Sequence, residues 1–250
     1  MFWNKDKNEK RLSKAQGLME CDEYGKAVET LSEVIDSQDA SAEIKGRALL
    51  MRAHCRKWLA THCGDEIDPD FDPNELSPEE AAPELSEEET EGIRLAVEDL
   101  NAVMKIDNLP EEMAVEALNE RLKEYAQLGE YDKALKDIEK ILSVENGCSE
   151  QTEAEMKFKQ AEFYCCLEDF DKACGKLGEL INSDKTPLPI IVKAIIHRAE
   201  LNEDLNRTDS AKADYQRLVD MADEVTGLAD ISRNAARRIE ELEENEQKPG

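Results

Sequence analysis

Four side chains that could bind a metal ion stand in two adjacent pairs, His54-Cys55 and His62-Cys63. The pairs are eight residues apart, so a continuous helix would place both roughly on one side, where two histidines and two cysteines could bind zinc. Metal-ligand spacings usually come from a turn of two to four residues, whereas Cys55 falls within a predicted helix that must also pack. We therefore expect a packed helix end with free thiols, and zinc binding is the alternative.

Acidic side chains are concentrated in residues 64–92, which contain 13 Asp and Glu, four Pro and no Lys or Arg. Three alternating aspartates from Asp68 to Asp72, with Glu79 as the twelfth residue, match the carboxylate spacing of a calcium loop. The sixth position of such loops must turn sharply and is Gly, but here it is Pro73. We expect a solvated, flexible acidic loop or an acidic lid without chemistry of its own. Calcium binding and the attraction of a basic partner are the alternatives.

Motifs for catalysis are absent from the sequence. Besides the two histidines above there is only His197, and the chain has no Gly-rich phosphate loop and no nucleophile motif. The seven cysteines include no Cys-x-x-Cys pair, which favours reduced thiols in a cytoplasmic protein. The sequence therefore predicts a non-enzymatic, cytoplasmic protein without a cofactor.

The composition indicates long helices and an acidic surface. Ala, Glu, Lys, Leu and Arg make up 121 of the 250 residues, and the formal net charge is −27. A chain of this charge repels phosphate, so we expect no binding to nucleic acid or to anionic membranes. No apolar stretch approaches the ~18 residues of a membrane span. The first residues become charged at once, so no signal peptide is expected.

One apolar pattern occurs five times along the chain: an Ala is followed by large apolar residues four, seven and eight positions later. This spacing places each set on one stripe of a helix. The last four of these alanines are 38, 39 and 38 residues apart, which indicates an internal repeat. The five alanines are Ala27, Ala96, Ala134, Ala173 and Ala211.

A second helix is predicted upstream of each Ala, with a stripe whose middle residue is usually small, so that two helices can approach closely. Its three positions in the successive repeats are Arg11, Ala15 and Leu18; Ile44, Ala48 and Met51; Leu118, Leu122 and Tyr125; Lys157, Ala161 and Tyr164; and Ile195, Ala199 and Asn202.

These paired helices resemble the tetratricopeptide repeat family, and the clearest copies of its motif run from Leu128 to Ala134 and from Leu167 to Ala173. The resemblance implies an all-α solenoid of about five antiparallel helix pairs in a right-handed superhelix. We expect the repeats at about 8–36, 41–106, 110–144, 150–183 and 188–224, an acidic insertion at 60–89, a C-terminal capping helix at 226–246 and a disordered tail at 247–250.

The resemblance also implies a concave groove, lined by the first helix of each pair, that holds a peptide or a partner helix. Lys45, Arg52 and Lys123 would gather in its N-terminal half and could bind a carboxylate, while the C-terminal half is acidic. The alternative is that these bases only neutralise adjacent Glu. The candidate groove residues are Leu12, Lys45, Leu49, Arg52, Asn119, Lys123, Phe158, Glu162, Ile196 and Glu200.

The function favoured by the sequence is a protein–protein interaction scaffold that binds a peptide or partner protein in this groove. One alternative is a metal-binding or metal-regulated protein that uses His54–Cys63 or Asp68–Glu79. The other is self-assembly through the terminal helices, although a monomer is slightly favoured.

Overall fold

A computed structural model describes residues 2–62, 85–144, 149–224 and 227–246. Within these ranges the chain forms eleven α-helices and no strand, and none of the helices is long and apolar enough to cross a membrane. The predicted all-α fold of helix pairs with one further terminal helix is confirmed. The candidate calcium loop Asp68–Glu79, Cys63 and the tail 247–250 lie outside the described residues. The helices are α1 Phe2–Glu20, α2 Tyr24–Ile35, α3 Ala42–His62, α4 Glu87–Val103, α5 Glu111–Gln127, α6 Tyr131–Leu142, α7 Glu150–Cys166, α8 Phe170–Ile181, α9 Leu188–Asp204, α10 Thr208–Glu224 and α11 Ala229–Glu246.

The described helices belong to two compact units, Met1–Ile141 and Leu142–Gly250. In the first unit each helix from α1 to α4 packs on the next one along the chain, and α6 joins α5 through a buried ion pair. In the second unit the same sequential packing continues from α7 to α11. The five repeated alanines are all buried in these units, as their place on a packing stripe predicts.

The turns within four of the helix pairs share one geometry. Asp22, Gly129, Glu168 and Asn206 each adopt a positive φ, and each lies five residues before the repeated Ala of its pair. In each turn the N–H that follows this residue donates to a carbonyl in the last turn of the first helix, as Glu130 does to Tyr125 at 2.8 Å. Four of the helix pairs therefore repeat the backbone conformation of the turn as well as the apolar pattern of the helices.

The helix α4 begins with a capping box formed by Ser86 and Glu89. The Glu89 N–H donates to the Ser86 hydroxyl at 3.1 Å, and the Ser86 N–H donates to the Glu89 carboxylate at 2.7 Å. These bonds to its charged form lower the pKa of Glu89. The last residues of the predicted acidic insertion thus form a well-defined helix start.

The register predicted for the first helix of the second pair is wrong. Ile44 and Ala48 pack with α1 and α2, whereas Leu49 and Ala53 pack with α4 around Ala96. The helix α3 has 21 residues and carries apolar positions on both faces, so either stripe satisfies the spacing. In the other four repeats the middle residue of the first-helix stripe lies 12 residues before the repeated Ala. The insertion between α3 and α4 lengthens this distance in the second repeat, so it cannot be used to find the middle residue there.

The helices α3 and α4 are in close contact at Gly92. A Cβ atom at this position would collide with the Ala60 side chain and would lie 3.2 Å from the Arg56 carbonyl oxygen. Gly92 is therefore required by the contact between two helices rather than by a turn.

The second unit has its own core of buried residues from α7 to α11. The terminal helix α11 is present, and it packs against this core through buried Ala235 and partly buried Ile231, Ile239 and Leu242. Arg238 of α11 also pairs with Glu203 of α9, with its Nε 2.9 Å from the Glu203 Oε1. Apolar burial and an ion pair thus attach α11 to the preceding helices.

Candidate functional site

The predicted basic cluster of the first unit is made of residues with different roles. Arg52 donates from Nε and Nη2 to the Asp99 carboxylate of α4, at 3.0 and 2.6 Å, and from Nη1 to the Ser32 hydroxyl of α2 at 2.8 Å. Lys123 is exposed and pairs with Glu120 of its own helix at 2.7 Å. For these two bases the structure favours the alternative that they neutralise nearby carboxylates. Lys45 and Asn119 are half-buried.

Two apolar residues predicted for the groove are in the core instead. Leu12 is only 2% exposed and packs with α2, and Leu49 is 4% exposed and packs with α4. Neither side chain reaches a surface where a ligand could touch it. The register predicted from the sequence places Leu49 in the groove. In the structure Leu49 belongs to the stripe of α3 that packs on α4.

The corrected register brings a different set of α3 residues to the side that the resemblance predicts to face a ligand. They border a cavity of about 450 Å³, the α3–α5 cavity, which lies within the first unit. Its apolar side chains, the apolar wall, come from α1, α3 and α4, and its carboxylates, the acidic wall, come from α5. His54 and Lys57 of α3 also line it. Its lining residues are Met19, Leu50, Met51, Ala53, His54, Lys57, Ala96, Leu100, Glu116, Glu120 and Glu124.

The acidic wall is a single stripe of α5, because Glu116, Glu120 and Glu124 follow one another at four-residue spacing. Glu116 is exposed, Glu120 is half-buried and Glu124 is 3% exposed. The stripe therefore runs from solvent into the protein interior.

Glu124 is the most unusual side chain of the cavity. Its Oε1 accepts a hydrogen bond from the Lys57 Nζ at 2.9 Å, while its buried Oε2 has no partner among the described residues. Burial raises the pKa of Glu124, and the hydrogen bond from Lys57 opposes this shift. A buried carboxylate oxygen without a donor is an unfavourable arrangement that a ligand could relieve.

The other buried charges within the described ranges are fully paired. Arg121 of α5 donates from Nε and Nη2 to Asp137 of α6, at 2.7 and 2.6 Å, and from Nη1 to Asn101 of α4 at 2.7 Å. The same bidentate pair joins Arg198 of α9 to Asp214 of α10. Both pairs connect the two helices of one repeat, which is a structural role.

These pairs reveal a sequence signal that identifies the α3 register. In the third and fifth repeats an Arg lies 13 residues before the repeated Ala and an Asp lies three after it. Asp99 has the same place after Ala96, so its partner Arg52 marks the equivalent position in α3. His54 and Lys57 of α3, which the sequence analysis missed, follow from this alignment. Glu124 of α5 does not follow from it, because the register of α5 is unchanged.

In the second unit, Phe158 and Ile196 pack against the core as partly buried residues. The Phe158 ring meets the His197 ring edge-on at 5.7 Å, and the His197 Nε2 lies 3.7 Å from the Cys165 Sγ. Burial raises the pKa of Cys165 to about 11, so its thiol is neutral at physiological pH. This arrangement is packing rather than an activated nucleophile.

The acidic residues predicted for the second unit have different settings. Glu162 is half-buried, while Glu200 is exposed and borders, with Ile196, a cavity of about 550 Å³ against α10 and α11. The deepest carboxylate of this cavity, Glu203, is held by Arg238 and by the Tyr215 hydroxyl, which donates at 2.5 Å. Its acceptors are therefore already used by the docking of α11.

The described part of the His54–Cys63 segment does not assemble a zinc site. Cys55 is fully buried and its pKa is raised to about 11 by burial, whereas His54 is exposed on another side of α3. The His62 ring stacks on Trp58 at 4.5 Å. In the part of the chain that the structure describes, no group of three or more His, Cys, Asp or Glu side chains could hold a metal ion.

Comparison with known proteins agrees with the helix pairs. Residues 115–148, which include most of α5 and all of α6, match the model of the tetratricopeptide repeat family. No curated protein matches the chain. Repeats of this family generally belong to non-enzymatic proteins and typically bind proteins or peptides. The match confirms the resemblance seen in the sequence, and the chain carries a tetratricopeptide repeat in α5 and α6.

Proposed function

We propose that this protein is a non-enzymatic interaction scaffold whose first unit binds a segment of a partner protein at the α3–α5 cavity. The observation that carries the proposal is the position of this cavity. Its acidic wall belongs to α5, the first helix of the matched repeat, and the first helices of such repeats form the extended binding surfaces of solenoid proteins.

The lining of the cavity supports a protein ligand. Apolar side chains and a few charged groups border the same concave space, which is the usual composition of a site that buries one side chain and orients it by polar contacts. The net charge of −27 argues against nucleic acid as the ligand, since phosphates are repelled.

Affinity capture with the full chain tests this function. The variant Glu116→Lys reverses an exposed charge on the acidic wall, and Glu139→Lys makes the same change on an exposed position of α6 outside the cavity. We expect the recovery of a bound protein to fall at least about tenfold with Glu116→Lys, since each lost charge contact weakens binding by about 1.4 kcal/mol or more. It should be unchanged with Glu139→Lys.

Equal thermal melts of the two variants, followed by circular dichroism, would show that a loss of binding is not a loss of folding. If both variants recover the same proteins in the same amounts as the wild type, the α3–α5 cavity is not the binding site.

A further inference from the structure

We infer that the α3–α5 cavity accepts the cationic side chain of a lysine or arginine of the partner protein, whose charged group is bound by Glu124 and Glu120. This inference rests on the proposed function, because the cation is carried by the bound segment. It reverses the polarity that the sequence suggests, since the N-terminal half of the groove was expected to bind a carboxylate.

The first observation is the free acceptor. Glu124 is 3% exposed, lines the cavity, and has one carboxylate oxygen without a hydrogen-bond donor among the described residues. An ammonium or guanidinium group supplies both a donor and a positive charge, and such charge-assisted hydrogen bonds are stronger than those from neutral donors.

The second observation is the balance of charge around the cavity. Three carboxylates of α5 line it, against one lysine, Lys57, which already donates to Glu124. The two bases of α5 are also paired, Lys123 with Glu120 and Arg121 with Asp137. A carboxylate ligand would therefore meet repulsion and no free base on this wall, whereas a cation would be attracted.

The third observation is the apolar wall. Met19, Leu50, Met51 and Leu100 line the same space, and the methylene stems of lysine and arginine pack well on apolar surface while their charged ends reach polar groups. Methionine side chains adapt their shape to such stems. A cation with an aliphatic stem thus fits both walls, and a bare metal ion fits only one.

Two small-molecule probes of similar shape distinguish binding that depends on positive charge from binding that depends only on size. N-butylguanidinium carries the stem and head of arginine, and N-butylurea has nearly the same shape without the charge. The full chain is labelled with ¹³C at the methionine methyl groups, so that Met19 and Met51 report on the cavity while Met156 and Met221 report on the second unit.

We expect N-butylguanidinium to shift the Met19 and Met51 signals in a saturable way, with a dissociation constant at least tenfold below that of N-butylurea. Glu124→Gln keeps the size of the side chain and should weaken guanidinium binding at least tenfold. The matched control Glu139→Gln, on an exposed position of α6, should leave it unchanged. Unaltered Met156 and Met221 signals and an unaltered thermal melt would show that each variant is folded.

A second variant, Glu120→Gln, keeps the test decisive if Glu124→Gln disturbs the fold, and should also weaken guanidinium binding. Equal shifts with both probes, no shifts, or full guanidinium affinity in folded Glu124→Gln would overturn the inference. If capture of a partner depends on Glu116 while guanidinium does not bind, the inference fails and the proposed function stands. If guanidinium binds but no partner depends on Glu116, the proposed function fails instead.

Discussion

Two buried charged side chains lie three residues apart on α5 and differ in how they are satisfied. Arg121, toward α6, makes three hydrogen bonds to Asp137 and Asn101. Glu124, which reaches α3, accepts one hydrogen bond from Lys57, and its other carboxylate oxygen has no partner among the described residues. One of two neighbouring side chains therefore has its polar groups fully matched by described residues, and the other does not.

The difference distinguishes a side chain that holds two helices together, Arg121, from one that we propose contacts a ligand, Glu124. A bidentate Arg–Asp pair sets the position of two helices, and it recurs in α3–α4 and α9–α10 through Arg52–Asp99 and Arg198–Asp214. A buried carboxylate with a free oxygen stabilises the fold much less, because its desolvation is only partly compensated. Such a residue is more easily explained by a ligand than by folding.

The largest effect that tests this comparison is expected at Asp137. The variant Asp137→Ala leaves the buried guanidinium of Arg121 without its partner, which should lower the free energy of unfolding by about 3–5 kcal/mol. Urea unfolding followed by circular dichroism measures it. Glu139→Ala, on an exposed position of the same helix, should change it by less than about 0.5 kcal/mol. A loss below about 1 kcal/mol for Asp137→Ala would mean that the Arg121 pair does not hold α5 to α6.

A smaller effect, with a characteristic pH dependence, is expected at Glu124. At neutral pH, Glu124→Gln should change the free energy of unfolding by only about 1 kcal/mol, because Lys57 is 27% exposed and keeps part of its hydration. Burial raises the pKa of Glu124 above its ordinary value of 4.5, so the folded protein holds this proton to a higher pH than the unfolded chain. The stability of the wild type relative to Glu124→Gln should therefore fall as pH rises from about 4.5 through the folded pKa.

Urea unfolding of both proteins at a series of pH values, with the ¹³C chemical shift of the Glu124 carboxyl carbon, measures this prediction. A wild type that gains stability relative to Glu124→Gln over the same range would show that the pKa of Glu124 is lowered. Lys57 would then satisfy the carboxylate as completely as Asp137 satisfies Arg121.

The smallest effect is expected at Lys123, which sequence analysis placed in the basic cluster. Its pair with Glu120 lies at the surface, with about half of each side chain exposed. Lys123→Met should therefore change the free energy of unfolding by less than about 0.5 kcal/mol, because water and salt screen exposed pairs. Thermal melts at low and at high salt measure it, and a loss above about 1 kcal/mol would place Lys123 among the structural ion pairs.

Much of the fold could be predicted because the repeat is local. Each repeated Ala begins an apolar stripe within one helix, and all five alanines are buried as expected. The Ser86–Glu89 capping box likewise depends on four consecutive residues. Such features are determined by neighbours in the chain, so their spacing is enough to recognise them.

The register of α3 could not be predicted from spacing alone. Ala48 and Ala53 are both small residues within apolar stripes, and both are buried. Which of them faces α4 depends on the contact with Ala96, which is 43 residues beyond Ala53 and lies across the acidic insertion. The wrong register shifts three predicted groove positions, Lys45, Leu49 and Arg52, and with them the candidate site, around the helix.

By itself, the sequence determined the helical class, the repeated helix pairs and the terminal helix, because these follow from periodic apolar side chains and local capping. Only the tertiary structure decided which charged side chains are paired within the fold and which keep an acceptor without a partner among the described residues. Arg52 and Glu124 look alike in sequence as charged residues on first helices, but Asp99 satisfies one and half of the other is left unmatched. These pairings depend on contacts between different helices, which the pattern of residues within one helix does not specify.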